Sequence, residues 1–146
     1  MRESRRNFLR RMAALAGGGI AAGLAASGCA PGGSTVYRYT PSGNVIDLFL
    51  NWYPELYKTG GSVELLLSPS ESSLLVVRTA IDRFSAVLPA CTYGECRVDL
   101  QDNYFKCRCH SCRFALDGAP VYGPADKPLT SYRTEYRETS LRIFLS

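Results

Sequence analysis

Two short runs near the middle of the chain, Cys91-Thr92-Tyr93-Gly94-Glu95-Cys96 and Cys107-Arg108-Cys109-His110-Ser111-Cys112, hold five of the six cysteines and the only histidine of the 146-residue sequence. A cysteine that merely packs behaves as a small hydrophobe, and packing does not concentrate it in this way. Thiols on two loops separated by one strand pair can clamp a metal between the loop tips. Thiolate and imidazole suit iron-sulfur clusters and zinc, and disfavour calcium or magnesium. Ligand chemistry by itself leaves three outcomes open: an iron-sulfur cluster, a structural zinc, or disulfides with no metal.

The length fits one domain, and a hydrophobic share of 46% is ordinary for a globular fold. Five arginines against Glu3 put the whole net charge of +4 into the first eleven residues. The remainder is neutral, so a nucleic-acid partner has no electrostatic support. The basic start runs into an uncharged stretch from Met12 to Gly28, rich in Ala, Gly and Leu. A charged-then-apolar opening over residues 1–28 is the pattern of an export signal, not the start of a fold. The run Ser4-Arg5-Arg6-Asn7-Phe8-Leu9-Arg10 resembles the twin-arginine signature, which implies a route for folded proteins, often with cofactors already inserted.

Ala26-Ser27-Gly28-Cys29 resembles a bacterial lipobox, with Ala where Leu is usual. It implies lipidation of Cys29 and anchoring on the periplasmic or extracytoplasmic face of a membrane. Cleavage at an Ala-x-Ala-like site and retention as a short anchor are the competing readings; about 17 residues lies at the low end for a span. Cysteines exported by any of these routes arrive where disulfides persist.

Beyond a tether at 29–35, the domain at 36–146 reads as short β-rich runs between turns. Val36 to Tyr39 and Val45 to Leu50 flank Pro41-Ser42-Gly43-Asn44, and Val63 to Leu67 and Leu74 to Thr79 flank Ser68-Pro69-Ser70-Glu71-Ser72. Arg83 to Leu88 leads into Cys91. Phe114 to Leu116 and Ala119 to Tyr122 flank Asp117-Gly118, a hairpin signal, and Ser131 to Tyr136 pairs with Ser140 to Leu145. Regular spacing of this kind implies an all-β small sandwich or barrel. Trp52, Tyr53 and Tyr57 read as core or rim aromatics beside an entry turn at Pro54 to Ser62.

The two cysteine runs resemble the cluster loops of Rieske proteins, whose pattern is Cys-Thr-His-x-Gly-Cys followed by Cys-Pro-Cys-His-Gly-Ser-x-Phe or Tyr. Here loop 91–96 and loop 107–114 carry Cys91-Thr92-x-x-x-Cys96 and Cys107-x-Cys109-His110-x-x-x-Phe114, with Tyr104-Phe105 in the gap. Gly123-Pro124-Ala125-x-x-Pro128-Leu129-x-x-Tyr132 is similar to the family's proline loop, placed at 123–129. The resemblance extends over residues 54 to 145. It implies a [2Fe-2S] cluster with Cys91 and Cys107 on one iron and His110 on the other. It further implies a Cys96–Cys109 disulfide, the mark of the electron-transfer branch.

One departure stands out: Tyr93 replaces the first-loop histidine, and no second histidine exists. After lipidation of Cys29, a disulfide and two iron thiolates, Cys112 is left over. The fourth ligand is therefore expected from Cys112, or else from the Tyr93 phenolate. Either anion makes reduction harder than neutral imidazole does, which moves the potential toward the plant-ferredoxin value of roughly −400 mV. Phe114, lacking a phenolic hydroxyl, points the same way. The alternative is a cluster-free interaction domain with Cys96–Cys109 and Cys91–Cys107 bridges, each worth about 2 to 4 kcal/mol.

The resemblance implies one-electron transfer with a redox protein partner, a cytochrome or an oxidoreductase subunit, at a membrane surface reached through the lipid. A variant of that expectation makes the chain the electron-relay subunit of a periplasmic oxidoreductase. No catalytic residue is expected in the chain itself. Asp99 with Asp102 and Glu135 with Glu138 read as surface carboxylates.

Overall fold

The computed structural model describes residues 33–146. The export signal, Cys29 and all of the tether before Gly33 lie outside the described residues. Eleven strands carry the fold: β1 (Thr35–Tyr39), β2 (Val45–Phe49), β3 (Ser62–Leu67), β4 (Ser72–Ala80), β5 (Arg83–Val87), β6 (Val98–Gln101), β7 (Tyr104–Cys107), β8 (Arg113–Ala115), β9 (Pro120–Tyr122), β10 (Ser131–Arg137) and β11 (Ser140–Phe144). Short 3-10 turns at Leu50–Trp52 and Pro54–Tyr57 complete the regular structure. The all-β expectation holds.

Seven strands form one sheet in the order β1-β3-β4-β5-β10-β11-β2, and β6 to β9 form a second, four-stranded meander. The two meet at β4, and the sequence says why. Leu74-Leu75-Val76-Val77 is apolar without alternation, as a strand buried on both faces must be. Leu74 and Val76 face a core with Ile46, Leu48, Val63, Leu65, Phe84, Leu141 and Ile143. Leu75 and Val77 face a second core with Val87, Val98, Phe105, Phe114 and Leu129.

Ile46 and Leu48 belong to the edge strand β2, yet they share a core with β3 near the opposite edge, so the large sheet is curled into a barrel. Its two edges, β1 and β2, meet at Tyr39. The Tyr39 hydroxyl donates to the Asp47 carbonyl at 3.1 Å and accepts from the Asp47 N–H at 3.2 Å. These bonds stand where a strand ladder would otherwise satisfy both groups.

The runs flanking Pro41 to Asn44 are both strands but are not partners. β1 pairs in parallel with β3, and β2 pairs antiparallel with β11. The other expected hairpins form, β3 with β4, β8 with β9 and β10 with β11. In the Asp117-Gly118 turn, Gly118 takes φ +92 and the Asp117 carboxylate accepts from the Ala119 N–H at 3.0 Å. Of the entry-turn aromatics, Tyr53 is buried while Trp52 and Tyr57 are exposed.

Candidate metal centre

The chain leaves β5 and enters the first cysteine loop at Cys91, whose N–H donates to the Cys96 carbonyl at 2.8 Å. The Glu95 N–H donates back to the Cys91 carbonyl at 2.8 Å, closing the loop on itself. The β6–β7 hairpin then delivers Cys107, whose N–H donates to the Cys112 carbonyl at 3.0 Å and closes the second loop. Cys96 and Cys109 are joined by a disulfide that ties the two loops together, the pairing the family resemblance implied.

The segment at 123–129 packs over both loops. The Thr92 hydroxyl donates to the Lys127 carbonyl at 2.7 Å, fastening the first loop. Gly123 lies on the second: a Cβ there would stand 2.7 Å from the Cys112 Cα, and its φ is +96. Glycine alone fits that close approach.

Between the loops lie three donors. The ligand atoms of Cys91, Cys107 and His110 all fall within 4.8 Å of one another, with Cys107 Sγ 3.5 Å from His110 Nδ1. Both thiols are buried and His110 is partly exposed. Gly94 runs beneath the imidazole, where a Cβ would come within 2.7 Å of Cε1. Tyr93, 56% exposed, sets its ring edge-on to His110 with centroids 5.0 Å apart.

The two expected sources of a fourth ligand thus have different surroundings. Tyr93 stands against His110 at the rim. Cys112 is fully buried in the same core cluster as Cys91, Cys107 and Phe114, but lies outside the donor group. Cys91, Cys107 and Cys112 are all free thiols, so the alternative Cys91–Cys107 bridge does not form.

Asp99, set aside from sequence as a surface carboxylate, instead joins a network that fixes the loops to the barrel. Arg97 donates to both carboxylate oxygens of Glu64 on β3, at 2.8 and 2.5 Å, and through Nε to Asp99 at 3.2 Å. Arg108, between Cys107 and Cys109 of the second loop, reaches both oxygens of Asp99. The Arg97 guanidinium holds the Glu64 carboxyl below its ordinary value despite burial. Arg108 first, then Arg97, does the same for Asp99. The available signal was Glu64 itself, a lone acid in the apolar run Ser62 to Leu67, since a buried charge requires a partner. Glu135 does pair at the surface, with Arg133 and Arg137.

Two thiols and an imidazole are the donor chemistry of iron-sulfur and zinc centres, and they supply three of the four ligands that a two-iron cluster takes. The fit is that of an atypical ligand set, one ligand short of the four.

Comparison with known proteins agrees. A family model for the Rieske [2Fe-2S] domain matches residues 58–133, just over half of the chain. The plasma membrane Rieske protein PetC3 of the cyanobacterium Synechocystis PCC 6803 is 29% identical, with a TM-score of 0.52 over 60% of this chain and 89% of that one. The ferredoxin of carbazole 1,9a-dioxygenase from Nocardioides aromaticivorans IC177 is 21% identical, with a TM-score of 0.52 over 64% and 91% of the two chains, and shows the same fold. No curated protein matches the sequence. With the curled barrel, the bridged loops and the Cys91–Cys107–His110 donors in place, the chain belongs to the Rieske [2Fe-2S] domain family, and the cofactor implied is a [2Fe-2S] cluster in an atypical ligand set.

Proposed function

We propose that this protein is a one-electron carrier of lowered potential, with the cluster held by Cys91, Cys107, His110 and Tyr93. The observation that carries the reading is the convergence of two buried thiols and one rim imidazole between disulfide-bridged loops. A bound cluster supplies one-electron exchange without bond-making on a substrate. The chain's own residues hold the loops rigid and leave His110 partly exposed as the point of electron entry or exit.

Tyr93 is preferred over Cys112 as fourth ligand because its ring lies against His110, whereas Cys112 falls outside the group that Cys91, Cys107 and His110 form. A phenolate in place of neutral imidazole adds about one unit of negative charge, so reduction is harder and the potential falls below the Rieske range of about −150 to +300 mV.

The partner is a redox protein, a cytochrome or an oxidoreductase subunit. A carbazole 1,9a-dioxygenase ferredoxin of similar fold, solved in complex with its oxygenase, supports that class of partner. The twin-arginine-like start and Cys29 support export and lipid anchoring, and the disulfide fits an oxidising compartment. Among the described residues no helix is long and apolar enough to cross a membrane.

The test is iron, acid-labile sulfide and the reduced-state paramagnetic resonance spectrum of anaerobically purified protein. Two irons and two sulfides per chain are expected for one [2Fe-2S] centre. Tyr93→Phe is expected to change the spectrum and Cys112→Ser to leave it unchanged; Tyr93→His is expected to raise the potential. Protein carefully prepared and free of both iron and sulfide would defeat the reading.

A further inference from the structure

Four large apolar side chains stand exposed at one end of the barrel: Phe49, Trp52, Tyr57 and Ile81. Strand register brings them to that end. β2 finishes at Phe49 opposite the start of β11, and β4 runs past the start of β3 into the turn that carries Ile81. The Arg78 guanidinium donates to the carbonyls of Leu56, Tyr57 and Ile81, which fastens the Pro54–Tyr57 turn beside the β4–β5 turn. The Phe49 and Trp52 rings lie against each other with centroids 5.6 Å apart. Trp52 and Tyr57 keep a polar tip for water, but Ile81, 79% exposed, has none.

The donors Cys91, Cys107 and His110 lie at the opposite end. β5 starts beside the Ile81 turn and runs away from it for five residues, roughly 16 Å, before the chain enters the first cysteine loop. The N-terminal segment, by contrast, enters the barrel at the apolar end. Thr35 opens β1 opposite Val63, and the Ser34 and Ser62 hydroxyls share a hydrogen bond of 2.6 Å. Residues 30–34 are all that separate β1 from Cys29, a tether that reaches at most about 20 Å.

A lipid on Cys29 keeps this end within that distance of a bilayer, where a weak contact suffices because docking is intramolecular. Tryptophan and tyrosine favour the boundary between lipid and water. Charges in the surrounding loops offset one another, Lys58 and Arg83 against Glu55 and Asp82, so apolar contact and not charge drives the docking.

We propose that Phe49, Trp52, Tyr57 and Ile81 form a membrane-docking face that seats the barrel on a lipid bilayer and turns the Cys91–Cys107–His110 end toward water. The inference rests on the reading of Cys29 as the lipid anchor. It restricts the electron partner to one that meets His110 from the aqueous side.

Trp52 is the only tryptophan of the chain, so its fluorescence reports this face alone. The full lipidated chain is reconstituted into phosphatidylcholine vesicles, either plain or brominated on the acyl chains. Quenching of Trp52 in the brominated vesicles and protection from iodide in the plain ones are expected. Tyr57→Ser and Ile81→Asp are each expected to shift the ratio of docked to free face about 10-fold toward free, the loss of one buried apolar side chain. Both side chains are exposed, and the unsubstituted chain decides the matter even where a variant fails to fold.

Equal emission from plain and brominated vesicles would overturn the proposal. So would protection of Trp52 in a vesicle-free dimer, which would assign the face to a second copy of the chain. Mass spectrometry of Cys29 tests the anchor separately. A lipidated chain with unquenched Trp52 defeats the docking face and keeps the anchor. A chain without lipid at Cys29 defeats the anchor; mixed with the same vesicles at excess lipid, its Trp52 supports the face if quenched and overturns it if not.

Discussion

At Gly94 the centre depends on a side chain that is not there. A Cβ would approach the His110 ring to 2.7 Å, and the ring has no room to keep its present position against both that methyl and Tyr93. Gly94→Ala is therefore expected to turn the imidazole away from the thiols while leaving the barrel intact. Metal or cluster occupancy should fall by about 10- to 100-fold in affinity, the scale of losses when a ligand's supporting residue changes. Metal analysis with far-ultraviolet circular dichroism checks both halves of that statement. At this scale the site was largely legible. Cys91, Cys107, His110 and the departure at Tyr93 are visible because these residue types carry ligand chemistry wherever they lie. The different burial of Tyr93 and Cys112 was not, since it depends on which face of the second loop meets Leu75 and Val77.

Between elements, the strongest tie from barrel to loops is Glu64 on β3 with Arg97 just before β6. Its effect on stability has a definite pH sign. Both Glu64 and Asp99 are held below their ordinary values of 4.5 and 3.8 in the folded protein. Their contribution is whole above those values, where the unfolded chain is also ionised, and is lost as pH falls through the lowered folded values. Urea midpoints are expected to change little through these two groups from neutral pH down to about 5 and to fall more steeply below about 4.5. Glu64→Gln should lower stability at neutral pH by about 1 to 2 kcal/mol, a modest figure because Arg97 is partly exposed and water screens it. It should also flatten the acid limb. Sequence reading left residues 97–106 as a gap between loops. The strands there are four residues each, with Asp99, Gln101 and Lys106 interrupting the apolar pattern. The partner of Arg97 lies 33 residues away, and no local pattern announces it.

Over the whole molecule, barrel closure turns on Tyr39. Removing its hydroxyl strands the Asp47 N–H and carbonyl at the seam, so Tyr39→Phe is expected to cost about 1 to 2 kcal/mol. The urea midpoint should drop with an unchanged slope and unchanged metal content, because the seam belongs to the barrel core and not to the loop core. The class of fold and nine of the eleven strands were open to reading from turn spacing and apolar runs. The partners of β1 and β2 were not, because a strand's neighbours are chosen by the curl of the entire sheet. That choice has a consequence for synthesis. Among the described residues β2 has its ladder only with β11, and the cross-strand pair Asp47 and Arg142 is 95 residues apart. Until the final hairpin is complete β2 has no mate, although both cysteine loops precede that hairpin in the chain. The thiols of both loops are therefore synthesised before the barrel has the strand that shuts it.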